Sequence, residues 1–343
     1  MKAMVLKGPN LPFQLEQRPD PAAGPGEAVA RVVTCGAGLT IQHAKAGRRK
    51  VQFPRIIGHE ITGEIVEVGA GVRGLKVGDP VTTYFYLNCG HCRWCLTNLE
   101  PLCENSGGQI GLECDGAYAE YVKLPAQNFI KLPDGLDYTK HPAEIGVVTD
   151  ALATPYKVLR RARVKAGETV AVIGAGGGLG IHQLMMAKWA KARVIAVDTK
   201  PNKFDACRKA GADQVIDASA GRVVEQLMDL TGGRGVDVVV DYVSATSTLE
   251  AGAKALARRG RLVTLGGSGQ PFQASSADML NKEQDLLGSR YVTRSEVLES
   301  LDLVARGEVF PLVSVVRPLE QAEAVHELVE RGEVIGRAAL RIA

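Results

Sequence analysis

Val170-Ala171-Val172-Ile173-Gly174-Ala175-Gly176-Gly177-Gly178-Leu179-Gly180 is the stretch that decides the fold. A short apolar run rich in valine and isoleucine ends on a cluster of glycines, and a helical stretch, Ile181–Lys191, follows. An apolar run of this length bounded by glycine reads as a buried strand. Glycines let the backbone turn tightly and come close to a pyrophosphate, which then rests on a helix N-terminus. The strict spacing G-x-G-x-x-G fits no register. The nearest matches are A-x-G-x-x-G from Ala175, and Gly174, Gly177 and Gly180 at three-residue intervals. Context strengthens the reading. A second apolar run, Arg193-Val194-Ile195-Ala196-Val197, ends in Asp198, where a carboxylate would accept hydrogen bonds from adenosine ribose hydroxyls. The same charge repels a 2′-phosphate, so NAD is expected over NADP, although Lys200 and Lys203 stand nearby. A helix-capping aspartate is the structural alternative for Asp198. The candidate dinucleotide residues are therefore Gly174, Gly176, Gly177, Gly178, Leu179, Gly180, Asp198 and Lys203.

Working outward, Val236–Val240 and Arg261–Leu265 repeat the apolar run, and Pro201–Ala210 and Leu249–Ala257 repeat the helix. Alternating strand and helix implies a parallel sheet with right-handed crossovers. Near residue 290 the rhythm stops. Arg294–Arg306 and Leu319–Arg331 read as helices, and a last strand, Arg337–Ile342, is expected to return to the first part of the chain. Residues 1 to 150 read as short strands and turns. Ile61-Thr62-Gly63-Glu64-Ile65-Val66-Glu67-Val68 alternates apolar and polar residues, as a half-buried strand does; Ala28–Thr34 and Val81–Tyr86 are further strands. The fold class is α/β plus β, with a β-rich domain over 1–150 and 290–343 and an α/β domain over 151–289. The 343 residues suit two domains. A net charge of +3 with acids and bases interspersed argues against a nucleic-acid partner. No apolar run reaches the roughly 18 residues that a membrane helix needs.

Four of the seven cysteines, Cys89, Cys92, Cys95 and Cys103, fall in one short lobe, residues 88–104, with spacing C-x2-C-x2-C-x7-C. Two-residue loops bring three sulfurs onto one knuckle, and a turn at Leu99-Glu100-Pro101 returns the fourth. Four soft ligands converging this way suit a closed structural zinc site. The alternatives are thiols packed in a core and a disulfide cluster. The chain opens Met1-Lys2-Ala3-Met4 with no signal-like segment, so a cytoplasmic location and metal binding are expected rather than disulfides.

With these features the chain resembles the zinc-containing medium-chain alcohol dehydrogenase/reductase family over nearly its whole length. The residues that carry the likeness include Gly58-His59-Glu60, the cysteine lobe, Asp115-Gly116-Ala117-Tyr118-Ala119-Glu120-Tyr121, the glycine turn and Gly336-Arg337-Ala338-Ala339-Leu340. The resemblance implies a GroES-like catalytic domain and a Rossmann NAD-binding domain. It also implies a catalytic zinc held by a Cys, the His of Gly-His-Glu and a later Cys or Asp. Here His59, Glu60 and Asp150 match. The segment C-x-[ST]-D-x-H reads Gly38-Leu39-Thr40-Ile41-Gln42-His43 instead, so the first ligand is missing and its supporting aspartate has become Ile41. Thr40 and His43 keep the places of a hydroxyl-to-imidazole proton relay. Thr154 beside the nicotinamide and Arg337 at the pyrophosphate are carried over by position.

Two enzymatic readings follow. One is NAD-dependent interconversion of an alcohol and an aldehyde or ketone, zinc-assisted through His59, Glu60 and Asp150 with Thr40 and His43 moving the proton. The other is zinc-free reduction of a double bond conjugated to a carbonyl. A non-catalytic nucleotide-binding protein is the third class. The expected partners are a small-molecule substrate and copies of the chain itself in a homo-oligomer, tetramer or dimer.

Overall fold

The computed structural model describes residues 1–267 and 269–343. The chain divides into two compact units, residues 154–291 and residues 1–153 with 292–343.

In the first unit, the strand Thr169–Ile173 is buried along its whole length and lies inside a six-stranded sheet. The strand order is Gln214–Asp217, Arg193–Asp198, Thr169–Ile173, Val236–Asp241, Leu256–Thr264, Asp285–Gly288, and every pairing is parallel. Strands covered on both faces can be apolar throughout, which is why they stand out as runs rather than as alternations. The helices Gly180–Trp189, Phe204–Lys209 and Thr246–Lys254 lie between successive strands along the chain. Ile195, Val197, Leu227, Val239, Leu249 and Leu262 form part of one buried cluster. This is the doubly wound Rossmann arrangement.

The two edge strands, Gln214–Asp217 and Asp285–Gly288, were not among those expected, and the strand expected at Val81–Tyr86 runs Pro80–Thr83. The strand expected at Arg261–Leu265 begins at Leu256, and the helix before it stops at Lys254 rather than Ala257. Leu256 pairs with Val236 ahead of a register shift, and Arg259 takes a left-handed conformation at φ 56°. That irregularity hides the strand's first half from a periodicity argument.

The other unit holds a seven-stranded sheet. Its path runs Val313–Pro318, Arg337–Arg341, Glu27–Ala37, Ile61–Val68, Pro80–Thr83, Phe129–Lys131, and Tyr121–Pro125 also pairs with Glu27–Ala37. The last strand of the chain runs antiparallel to Glu27–Ala37, with Ala338 opposite Ala37 and Leu340 opposite Cys35. Ile61–Val68 has the ends its alternation predicts. A three-stranded sheet, Gln14–Gln17, Lys2–Leu6, Arg55–Ile56, completes the unit. Among the described residues, no helix is long and apolar enough to cross a membrane.

Candidate active site

The glycine turn follows from its backbone needs. Gly174 leaves the strand at φ 77°, a region that side chains disfavour. At Gly180, where the helix starts, a Cβ would lie 2.1 Å from the Gly174 carbonyl oxygen, so only glycine allows this approach of helix to turn. Asp198 ends the second strand and accepts the Gly176 N–H at 2.7 Å through one oxygen and the Lys200 N–H at 3.0 Å through the other. A Cβ on Gly176 would meet Lys203 Cδ at 2.6 Å and Asp198 Oδ2 at 3.2 Å. The turn, Asp198 and Lys203 thus come together at the start of a ten-residue helix, with glycine leaving the backbone bare. Such a cradle fits a dinucleotide's phosphates and ribose. Lys203 is buried, and burial lowers its pKa against the opposing pull of Asp198. His182, which sequence reasoning missed, has its Nδ1 2.6 Å from the Gly178 carbonyl oxygen, one helical turn away. Gly177, Gly178 and Leu179 complete the turn and are partly exposed. Thr154 is buried in the helix Ala153–Arg161.

The four lobe cysteines come together. Their sulfurs all lie within 4.8 Å of one another, with Cys92–Cys95 at 3.5 Å and Cys89–Cys95 and Cys92–Cys103 at 3.9 Å. Tetrahedral zinc–sulfur bonds of about 2.3 Å space sulfurs by roughly 3.8 Å. Backbone N–H groups of Cys89 and Cys92 point at the sulfurs of Cys103 and Cys89. The Cys95 and Glu104 backbone amides lower Cys92 to about 6, while burial pushes Cys95 up to about 12. Four thiols this close cannot all ionise without a cation to join them. The donor set and its spacing fit a zinc ion. Trp94 belongs to this lobe: its Nε1 donates to Glu104 at 2.9 Å, and Arg93 lies over its ring.

The second cluster is His59, Glu60 and Asp150, whose ligand atoms also lie within 4.8 Å. His59 and Glu60 stand just ahead of the strand Ile61–Val68. Gly58 before them has φ 102°, and a Cβ there would strike Tyr118 and the Cys35 sulfur. The His59 ring stacks on Phe85 with centroids 4.0 Å apart, and its carbonyl accepts the Thr83 hydroxyl at 2.6 Å. Asp150 sits in a turn of π-helix, Val148–Leu152, a geometry that recurs at functional sites. All three side chains are buried. His59 Nε2 has no hydrogen-bond partner and is 3.6 Å from Asp150 Oδ2.

A fourth group enters the same space. Arg337, expected at the cofactor's pyrophosphate, directs its guanidinium onto both carboxylates. Nε is 3.2 Å from each Glu60 oxygen, Nη2 donates to Asp150 Oδ2 at 2.9 Å, and Nη2 also bonds Glu60 Oε1. Burial pushes Glu60 up to about 8, with Arg337 opposing and the Asp150 charge reinforcing the rise. Burial would raise Asp150 too, but Arg337 and His59 together hold it well below the usual carboxylate range. The cluster thus already sets one guanidinium against its two acids. The guanidinium already occupies both Glu60 oxygens and Asp150 Oδ2, the atoms a metal would need, and its charge opposes a divalent ion beside it. The donor set alone suits a metal, but with Arg337 among its members the cluster does not fit a zinc ion.

Thr40 and His43 lie on one face of the helix Leu39–Lys45, three residues apart. His43 is exposed at the helix surface, yet the buried part of its ring and then the Arg48 cation lower its pKa. Cys35, three residues upstream of Gly38, is fully buried against Gly58 and Tyr118 and takes no part in the cluster.

Comparison with known proteins agrees with this architecture. Residues 24–134 match the alcohol dehydrogenase GroES-like domain and residues 178–306 the zinc-binding dehydrogenase domain. An alcohol dehydrogenase of Geobacillus stearothermophilus is 34% identical over all of both chains. An acryloyl-coenzyme A reductase of Metallosphaera sedula is 32% identical over 99% of each. The alcohol dehydrogenase of the hyperthermophilic archaeon Aeropyrum pernix superposes with a TM-score of 0.91 at 33% identity, covering 99% of this chain and 100% of that one. The chain belongs to the medium-chain, zinc-binding alcohol dehydrogenase family.

Proposed function

We propose that the chain is an oxidoreductase that interconverts an alcohol and an aldehyde or ketone by hydride transfer, with NAD as the preferred partner. The observation that carries the reading is the joined cradle of Gly174, Gly176, Gly180 and Asp198, set in a family whose members include alcohol dehydrogenases. Bound NAD supplies the hydride acceptor. The chain's own residues do the rest. Gly176 to Gly180 and Lys203 receive the phosphates and ribose, Asp198 selects against a 2′-phosphate, and Thr154 packs beside the nicotinamide. Thr40 takes up the proton leaving the alcohol oxygen, and His43, neutral near pH 7, accepts it and passes it to solvent. The cysteine lobe holds one zinc as a structural ion. Reduced, metal-bound thiols suit the cytoplasm.

Gly38 and Arg337 favour a second reading. Where an arginine stands among the expected metal ligands, hydride delivery to the β-carbon of a conjugated carbonyl needs no metal, since hydrogen bonds can hold the enolate charge. The similarity to an acryloyl-coenzyme A reductase is in keeping with that chemistry. A steady-state panel of alcohols, ketones and enones with NAD and NADP decides between them. Oxidation of alcohols with NAD at least about tenfold more efficient than with NADP is the expected result; enone reduction alone would establish the second reading. Asp198→Gly should erase the preference for NAD. Activity on no alcohol, carbonyl or enone would end both.

A further inference from the structure

We propose that Arg337 is the resident cation of the His59–Glu60–Asp150 cluster, standing where a metal ion would otherwise be held, so that the chain carries its single zinc in the cysteine lobe. The inference goes beyond the choice of substrate, since zinc content is read without any substrate present.

Register brings the arginine there. Ala338 lies opposite Ala37 in antiparallel strands, so the next step along the ladder sets Arg337 against Gly38. The Arg337 N–H is held by the Leu312 carbonyl at 2.9 Å, which fixes the strand's start. From that anchor the guanidinium occupies the volume that a side chain at position 38 would take. A Cβ on Gly38 would lie 2.9 Å from Cζ and Nη1 and 3.1 Å from Nη2. The position that would offer a thiolate is thus glycine, and the space is filled by a positive charge. Gly36, two residues earlier and so on the same face of the strand, makes matching room for the other half of the pair. A Cβ there would be 2.0 Å from Glu60 Oε2.

The carboxylates are engaged accordingly. Both Glu60 oxygens and Asp150 Oδ2 accept from Arg337, whose side chain is 7% exposed, against 2% for Glu60 and 12% for Asp150. A guanidinium offers planar, paired donors, and here it uses Nε and Nη2 to span two acids. Only His59 Nε2 is left without a hydrogen-bond partner, facing Asp150. The cluster retains a metal site's donors with an arginine in the metal's place.

Zinc per chain, measured by elemental analysis after incubation with excess zinc and gel filtration, tests this on the full-length protein. The unaltered protein should hold one zinc, and Glu60→Gln with Asp150→Asn should still hold one. Gly38→Cys alone should gain none, because the new side chain meets the guanidinium. Gly38→Cys with Arg337→Met should gain a second zinc, and cobalt in its place should show the sulfur-to-cobalt band of a new thiolate ligand. Two zinc ions in the unaltered protein, one of them lost in Glu60→Gln with Asp150→Asn, would overturn the proposal. So would a second zinc in Gly38→Cys alone. If the double variant fails to fold, zinc counted in the unaltered protein and in Gly38→Cys still decides.

Discussion

At the scale of single residues, much of the chemistry lies in positions that have no side chain. Gly36 has an ordinary backbone conformation, so it is glycine for space alone. An added Cβ would press on Glu60 Oε2, and on Glu60 Cβ and Val147 Cγ1 at 2.9 Å each. Gly36→Ala must displace a buried ion pair or bend a central strand, and should lower stability by about 2 kcal/mol. Urea unfolding measures the difference; an unchanged midpoint would mean that Glu60 moves aside freely. His326 offers a second residue-level test. It is fully buried, with Nδ1 2.9 Å from Gln42 Oε1 and Nε2 2.9 Å from the Tyr118 hydroxyl. The amide oxygen must accept, so Nδ1 carries the proton and Nε2 receives the one from Tyr118. Burial first, then Lys45, lowers its pKa to about 3. An imidazole depressed in the folded state binds its proton more readily when unfolded. Stability is therefore intact above about pH 6.5 and falls as the pH drops from there toward 3, by up to about 1.4 kcal/mol per unit from this group. His326→Gln should show a shallower fall between pH 6.5 and 4 in denaturant titrations; an identical slope would assign the loss to other groups.

At the scale of elements, the cysteine lobe is the clearest case of a short segment that cannot hold itself together. Its only regular pieces are the four-residue helix Arg93–Leu96 and the single 3-10 turn Glu100–Leu102, and Leu96 is 73% exposed. So little apolar burial cannot offset the entropy of ordering the loop, and metal–thiolate bonds have to supply the difference. Cys103→Ser should reduce zinc to below one per chain and lower the melting temperature, with the lobe becoming sensitive to protease. A variant with full thermal stability and no zinc would show that the lobe folds on its own contacts. The spacing of these cysteines was legible in the sequence because ligands brought together by two-residue loops leave a local signature. Asp150 was legible only by position. The π turn that presents it interrupts no hydrophobic pattern, and Asp150 lies inside a helical turn rather than capping one.

At the scale of the whole molecule, legibility followed the range of the interaction. Strands buried on both faces appear as apolar runs, so the four inner strands of the parallel sheet could be read, one of them only in its second half because it carries a bulge; the edge strands Gln214–Asp217 and Asp285–Gly288, only partly buried, were not read. His59 and Glu60 came from a contiguous motif. The placement of Arg337 over Gly38 could not be read, because it depends on the pairing register of strands nearly three hundred residues apart in sequence; two glycines at alternate positions, 36 and 38, were the only local trace. Arg261 shows the same long-range logic in the parallel-sheet unit. It is 7% exposed, donates to the Ala162, Arg163 and Asp237 carbonyls at 2.8, 3.1 and 3.2 Å, and pairs with both Glu168 oxygens at 3.0 and 2.7 Å. One side chain thus ties the end of the helix Ala153–Arg161, the approach to Thr169–Ile173 and two neighbouring strands. Arg261→Met would leave Glu168 and three carbonyls without their donor, and should cost about 3 kcal/mol. Lysine keeps the charge but cannot reach acceptors in so many directions, so Arg261→Lys should recover only part of the loss. The chain has two tryptophans, Trp94 in the cysteine lobe and Trp189 in the parallel-sheet unit. In a Trp94→Phe background, urea unfolding followed by Trp189 fluorescence reports that unit directly. Arg261→Met should unfold at lower urea than Arg261→Lys, and both below the parent; equal midpoints for all three would show that Arg261's bonds are replaced by water without consequence.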